Sequence, residues 1–243
     1  MKAVETRKLT KIYKDKTAVD GIDLSIESGE LFALLGVNGA GKTTTVRMLT
    51  CLSEPTSGEA YVCGKSPITE KSAVKALIGI SPQETSVAGK LTARENLEFM
   101  SRLFGMDKKQ SAERAKELIS LLGLEEAAEK RASTLSGGWQ RKLSIAMALV
   151  GDPEVIFLDE PTLGLDVLAR RELWRTVEAL KGKKTIILTT HYMEEAEHLA
   201  DRIGIMLDGR IAAVGTLPEL EAEAGVTGLE NAFVAIAERG MKK

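Results

Sequence analysis

Residues 36–43 read Gly-Val-Asn-Gly-Ala-Gly-Lys-Thr, a glycine-rich run that ends in an ammonium and a hydroxyl. Those residue types in that order suit a polyphosphate. Gly36, Gly39 and Gly41 let the backbone curl with its N–H groups turned inward, toward an anion. Lys42 is long enough to reach the β- and γ-phosphates of a nucleoside triphosphate. The Thr43 hydroxyl is a hard oxygen ligand for Mg²⁺. The stretch fits the pattern G-x-x-x-x-G-K-[ST] without a mismatch. By itself it names neither the base nor the reaction.

Three further groups of residues carry chemistry. Asp159 and Glu160 follow the apolar run Val155-Ile156-Phe157-Leu158. A carboxylate there, beside a phosphate loop, holds Mg²⁺ directly or through water, and a second one polarises an attacking water. Away from such a loop, an acidic pair after a strand is an ordinary capped turn. His191 ends the run Thr185–Thr190. A histidine at the C-terminal end of a strand lies on the ligand edge of an open α/β sheet, where it can hydrogen-bond a γ-phosphate; on residue type alone, a surface histidine at a helix start is the commoner reading. Ser136, Gly137 and Gly138 precede the apolar stretch Leu143–Val150. A serine and two glycines at a helix start make a second anion site by the same physics as the first. Two phosphate sites far apart in sequence are unusual for a simple kinase or GTPase.

These groups need a scaffold, and the hydrophobic pattern predicts one. Leu31–Leu35 is a short apolar run, as a buried strand is, and Val46, Leu49 and Leu52 predict a helix from Thr43 to Leu52. Residues 1–30 alternate and predict two or three antiparallel strands ending at the turn Glu27-Ser28-Gly29-Glu30. Thr92 with Glu95 is a capping box for a helix that Gly105 ends, and a second helix runs to Gly123. Beyond residue 150, strands and helices alternate. Asp166 caps a helix, and Ile203–Leu207 and Ile211–Val214 form a hairpin about Asp208-Gly209. This alternation predicts a mostly parallel sheet covered by helices.

The 243 residues suit one α/β domain or a domain with an attached lobe. A formal net charge of −2 argues against a general nucleic-acid binder. No apolar run approaches the ~18–20 residues needed to cross a bilayer. The first seven residues have no apolar core, so no secretory signal is read there. Cys51 and Cys63 are expected to be small semi-buried residues of a reducing compartment rather than a disulfide. The expectation is a soluble cytoplasmic protein.

With all these motifs in order along nearly the whole chain, the sequence resembles the ATP-binding-cassette (ABC) ATPases, the nucleotide-binding subunits of ABC transporters. The resemblance implies an α/β fold: a P-loop NTPase core with a mostly parallel sheet, an N-terminal antiparallel β subdomain and an α-helical subdomain. One ABC ATPase domain would span 1–243. Its catalytic core with the antiparallel part covers 1–82 and 151–215, its helical subdomain with the family signature 83–150, and a C-terminal helical tail 216–243.

The implied nucleotide contacts are Tyr13, stacking on adenine and so selecting ATP, the loop Gly36, Val37, Asn38, Gly39, Ala40, Gly41, Lys42, Thr43 and Thr44, and the signature residues Ser136, Gly137 and Gly138. The implied catalytic residues are Glu160, His191 and the glutamine-loop residue Gln83. Thr43, Gln83 and Asp159 would hold Mg²⁺, and Leu163–Asp166 is the family's D-loop. Two such chains pair head to tail, here expected as a homodimer, with each ATP between the phosphate loop of one chain and the signature of the other.

The partners implied are separate integral-membrane permease subunits, docking on the segment between Gln83 and the signature, and no nucleic acid. The chain would then sit at the inner face of the cell membrane. Leu91–Phe99, Thr190–Ala196 and Gly228–Phe233 resemble exporter-type subunits, of the drug- or sodium-efflux kind. The alternatives are a soluble ABC-type ATPase not coupled to transport, an importer ATPase, and a catalytically degenerate regulatory subunit, against which intact Glu160 and His191 speak. Two positions depart from the family pattern. Trp139 stands where the signature usually has glutamine, and Lys142 stands where an arginine commonly precedes the apolar helix, which loses bidentate geometry.

Overall fold

The alternating N-terminal residues form one long hairpin, β1 (Lys2–Tyr13) and β2 (Lys16–Glu27), with Thr6 opposite Leu24 and Tyr13 opposite Lys16. Register shifts interrupt it, and Lys8 takes a left-handed φ of 46°. The apolar run follows as β3 (Leu31–Leu35), then α1 (Lys42–Leu49), β4 (Ser57–Val62) and α2 (Lys71–Leu77). Helix α1 ends three residues before the Leu52 expected from periodicity, because Cys51 turns left-handed at φ 62°.

Next come β5 (Ile78–Ser81), α3 (Ala93–Leu103), α4 (Lys108–Leu121), α5 (Gly137–Ala148), β6 (Val155–Asp159) and α6 (Val167–Glu178). The chain closes with β7 (Thr185–Thr190), α7 (Met193–Leu199), the hairpin β8 (Arg202–Leu207) and β9 (Arg210–Gly215), α8 (Leu217–Ala224) and α9 (Leu229–Met241).

This computed structural model describes residues 1–241 and divides into two compact units, Met1–Lys75 with Lys181–Lys243, and Ala76–Leu180. In the first unit β3 pairs in parallel with β7 (Leu31 opposite Ile186) and with β8 (Phe32 opposite Arg202), while β9 joins β8 antiparallel. Every residue of β3 and β7 is buried, the pattern of parallel strands covered on both faces. The C-terminal helices supply part of that cover. Leu220, Phe233 and Ile236 share one cluster with Ala33, Leu35, Ile203 and Ile205. Each large apolar side chain so buried contributes about 1.5–3 kcal/mol. A separate antiparallel sheet has the order β2-β1-β4.

In the second unit β5 and β6 pair in parallel, Ile78 opposite Val155, and α5 packs on β5. Arg114 of α4 holds the far end of α5, donating from Nη2 to the Leu149 carbonyl at 2.6 Å and from Nε to that of Val150 at 3.1 Å. Those carbonyls lie at the C-cap of α5 and just beyond it, where the helix has no N–H of its own to offer them. Among the described residues no helix is long and apolar enough to cross a membrane.

Candidate active site

The first unit positions the phosphate loop between β3 and α1. Gly36 accepts a tight approach, since a Cβ there would lie 2.4 Å from the Met206 carbonyl oxygen. Gly41 caps α1 with φ 108°, a conformation L side chains rarely adopt. Between them Ala40 N–H donates to Val37 O at 3.1 Å, and Gly209 N–H donates to Ala40 O at 3.0 Å. Lys42, only 5% exposed, turns back over the loop and donates to Gly36 O at 2.7 Å and to Val37 O at 3.3 Å. Thr43 and Thr44 stand half-buried in the first turn of α1.

His191 stands beside this loop. Gly36 N–H donates to Thr190 O at 3.3 Å, and Leu35, Gly36, Val37, Asn38, His191, Met193 and Phe233 line one cavity of about 200 Å³. Tyr13, at the end of β1, is 45% exposed, with the Lys11 ammonium 4.9 Å from its ring centroid and its hydroxyl 3.4 Å from Ser53 Oγ.

The second unit holds the remaining candidates. Asp159 closes β6, and both Asp159 and Glu160 are 5% exposed. Glu160 has a left-handed φ of 48°, which turns the chain out of the strand. A non-glycine residue in that region is uncommon and costs about 1–2 kcal/mol. Thr162 Oγ1, just beyond, is buried and has no hydrogen-bond partner among the described residues.

Ser136 is the exposed N-cap of α5, and Gly137 and Gly138 form its first turn. A Cβ on Gly137 would lie 3.4 Å from Leu165 Cδ2, and one on Gly138 would lie 3.2 Å from Ala169 Cβ. The signature glycines therefore also let the D-loop and α6 pack close. Gln83 is exposed after β5.

Two helix starts lack the side-chain caps that four others carry. Among described helices of eight or more residues, α3, α4 and α8 have capping boxes, and Asp166 caps α6 by accepting from the Leu168 and Ala169 amides. At α1 and α5 the N-cap residue makes no side-chain cap hydrogen bond, and neither first turn contains an acidic residue. These are the starts preceded by the phosphate loop and by the signature. A helix N-terminus left without an internal anion suits an external one.

Sequence reasoning assigned the basic residue before the apolar helix to Lys142 and missed Arg141. The structure gives the two-pronged geometry to Arg141, which donates to the carbonyl oxygens of Pro82 and Gln83. Lys142 instead pairs with Glu172 of α6 at 2.5 Å and lies 5.1 Å from the Trp139 ring centroid. Gln140, next to Trp139, donates to Ala132 O and Leu135 O and so fixes the turn before α5.

The ABC transporter family profile matches residues 19–163, more than half of the chain. The chain belongs to the ABC transporter family. Relatives of this ABC ATPase include the daunorubicin/doxorubicin resistance ATP-binding protein DrrA of Streptomyces peucetius, 44% identical over 225 residues, which cover 92% of this chain and 68% of that one. The Nod factor export ATP-binding protein I of Paraburkholderia xenovorans is 45% identical over 215 residues, 88% of this chain and 70% of that one. A solved dimeric ATP-binding cassette, in a post-hydrolysis state with ADP and phosphate, superposes with a TM-score of 0.79 at 29% identity and covers 88% of this chain and 98% of that one. As an ABC ATPase the chain binds and hydrolyses ATP and powers transport together with membrane components.

Proposed function

We propose that this ABC ATPase drives export. It works as a head-to-tail homodimer on separate integral-membrane permease subunits, at the inner face of the cell membrane. The direction is supported by relatives above 40% identity whose names concern drug resistance and export. The observation that carries the catalytic reading is the pair of helix starts, α1 and α5, with no side-chain cap. One anion site on the phosphate loop and a second on the signature suit a nucleotide clasped between two copies.

In this reading the amides of Gly36–Thr44 and the Lys42 ammonium bind the phosphates of ATP. Gln83 and His191 contact the γ-phosphate from the same chain, and Ser136 with Gly137 and Gly138 contact it from the partner copy. Glu160 accepts a hydrogen bond from a water in line with the bond to be broken, so the water oxygen attacks phosphorus as ADP leaves. The exposed Tyr13 ring offers a face to adenine.

The donor set fits Mg²⁺. Thr43 supplies a hydroxyl, Asp159 a carboxylate and Gln83 an amide oxygen, all hard donors. Among the described residues no three His, Cys, Asp or Glu side chains gather as a metal cage. The nucleotide's own phosphates would supply further oxygen ligands to the ion. When bound, the ion would offset phosphate charge.

Affinity capture of the tagged chain from gently solubilised membranes, followed by mass spectrometry, tests the assembly. A stoichiometric multi-span protein is expected. A chain recovered without one, yet hydrolysing ATP, would favour the soluble-ATPase alternative.

A further inference from the structure

Arg141 lies one turn into α5, past the Ser136 N-cap, and is only 5% exposed. Its Nη1 donates to the Pro82 carbonyl oxygen at 2.7 Å and its Nη2 to the Gln83 carbonyl oxygen at 2.7 Å. Three residues on, and so on the same helix face, the Ser144 hydroxyl pairs with that of Ser81 at 2.8 Å, both groups buried. Residues 81–83 are thus fastened to one side of α5. The planar fork of a guanidinium reaches two adjacent carbonyls at once, which a lysine ammonium on its flexible stem does not reproduce.

Burying a charge among carbonyls is expensive where packing alone would serve. The fork holds backbone rather than side chain, so it fixes where residue 83 leaves the strand without occupying the Gln83 amide.

We propose that Arg141 is a positioning residue for hydrolysis. It holds the backbone of Gln83 against the helix that presents Ser136 and Gly138, so that the Gln83 side chain meets the γ-phosphate from a fixed origin. The proposal rests on the reading of Gln83 as a γ-phosphate contact.

The test compares Arg141→Lys, Arg141→Met, Gln83→Ala and the double variant Gln83→Ala/Arg141→Met in the full chain. Steady-state ATPase assays give kcat and KM. Binding of a fluorescent ATP analogue gives affinity. Hydrogen exchange of the nucleotide-free protein follows residues 78–90. The expected result is a kcat lowered about 10- to 100-fold in Arg141→Met and less in Arg141→Lys, with nucleotide affinity within about twofold. Exchange should quicken across residues 81–85 in both variants. The double variant should be no slower than Gln83→Ala alone.

Arg141→Lys keeps the charge and stem length, so it reports on the fork even if Arg141→Met fails to fold. An unchanged kcat in Arg141→Lys and Arg141→Met, beside a lowered one in Gln83→Ala, would overturn the proposal and leave the Gln83 reading standing. An unchanged kcat in Gln83→Ala would overturn that reading and the proposal with it. Losses that multiply in the double variant, or unchanged exchange at 81–85, would show that Arg141 acts elsewhere.

Discussion

The ammonium of Lys42 donates to the carbonyl oxygen of Gly36 at 2.7 Å, so the side chain at one end of the phosphate loop holds the backbone at the other. Lys42 therefore serves the loop's shape as well as its charge. Lys42→Ala should lower kcat at least about 100-fold, the scale of losing one donor to a developing oxyanion. It should also lower the melting temperature by a few degrees, because a buried carbonyl loses its partner at about 1 kcal/mol. Phosphate release and calorimetry read the two effects. A variant that loses activity with no change in melting would confine Lys42 to the ligand.

Gly36 tests the loop from the opposite side. Gly36→Ala places a Cβ against the Met206 carbonyl, at 2.4 Å if nothing moves. Backbone on both sides must shift, at about 1–3 kcal/mol. ATP affinity should fall by tenfold or more, measured by titration with a fluorescent ATP analogue. Wild-type affinity would mean that the loop relaxes around the methyl group.

Glu160 combines a catalytic carboxylate with a left-handed backbone, φ 48°. Glu160→Gln keeps the shape and removes the base. It should bind ATP, dimerise more stably and turn over about 10²- to 10⁴-fold more slowly. Glu160→Gly should be equally inactive yet melt no lower than the parent, because glycine adopts this φ without strain. Undiminished turnover in Glu160→Gln would remove the residue from the chemistry. A Glu160→Gly protein that melts well below the parent would mean that the carboxylate's own contacts outweigh the strain.

Trp139 stands where the family signature usually has glutamine, and its ring lies under the Lys142 ammonium. Ser136 and the first-turn amides of α5 do not depend on it. Trp139→Gln should therefore keep kcat within about threefold and lose about 0.5–1 kcal/mol of stability from the cation–π contact. A tenfold fall in turnover would give the indole a direct part at the nucleotide.

Much of this was legible in the sequence because the signals were local. The apolar runs at 31–35, 155–158 and 185–188 are strands, Thr92 caps α3 in a box with Glu95, and Asp166 caps α6. The loop and the acidic pair stand out as candidates by residue type and spacing, whereas His191 is picked out only by the family resemblance. Helix α2 was missed because Val74 is its only buried residue, so no apolar stripe marks it. Arg141 was missed for a different reason. Its partners are backbone carbonyls nearly sixty positions away, and a carbonyl leaves no trace in residue type. Arg141 and Lys142 are both buried, and which of them meets residues 82 and 83 is decided by tertiary packing.

The partners of β3 are among the last strands to be made. Leu31 pairs with Ile186 and Phe32 with Arg202, so synthesis must continue for roughly 150 residues after β3 emerges before either neighbour exists. At ordinary elongation rates that wait is on the order of ten seconds. Throughout it a strand of five apolar residues has no sheet to join. All of Ala76–Leu180, which forms the other compact unit, is translated within the wait. The nascent chain is therefore at its most aggregation-prone between the exit of β3 and that of β8, and ribosome-bound chaperones have most to protect there.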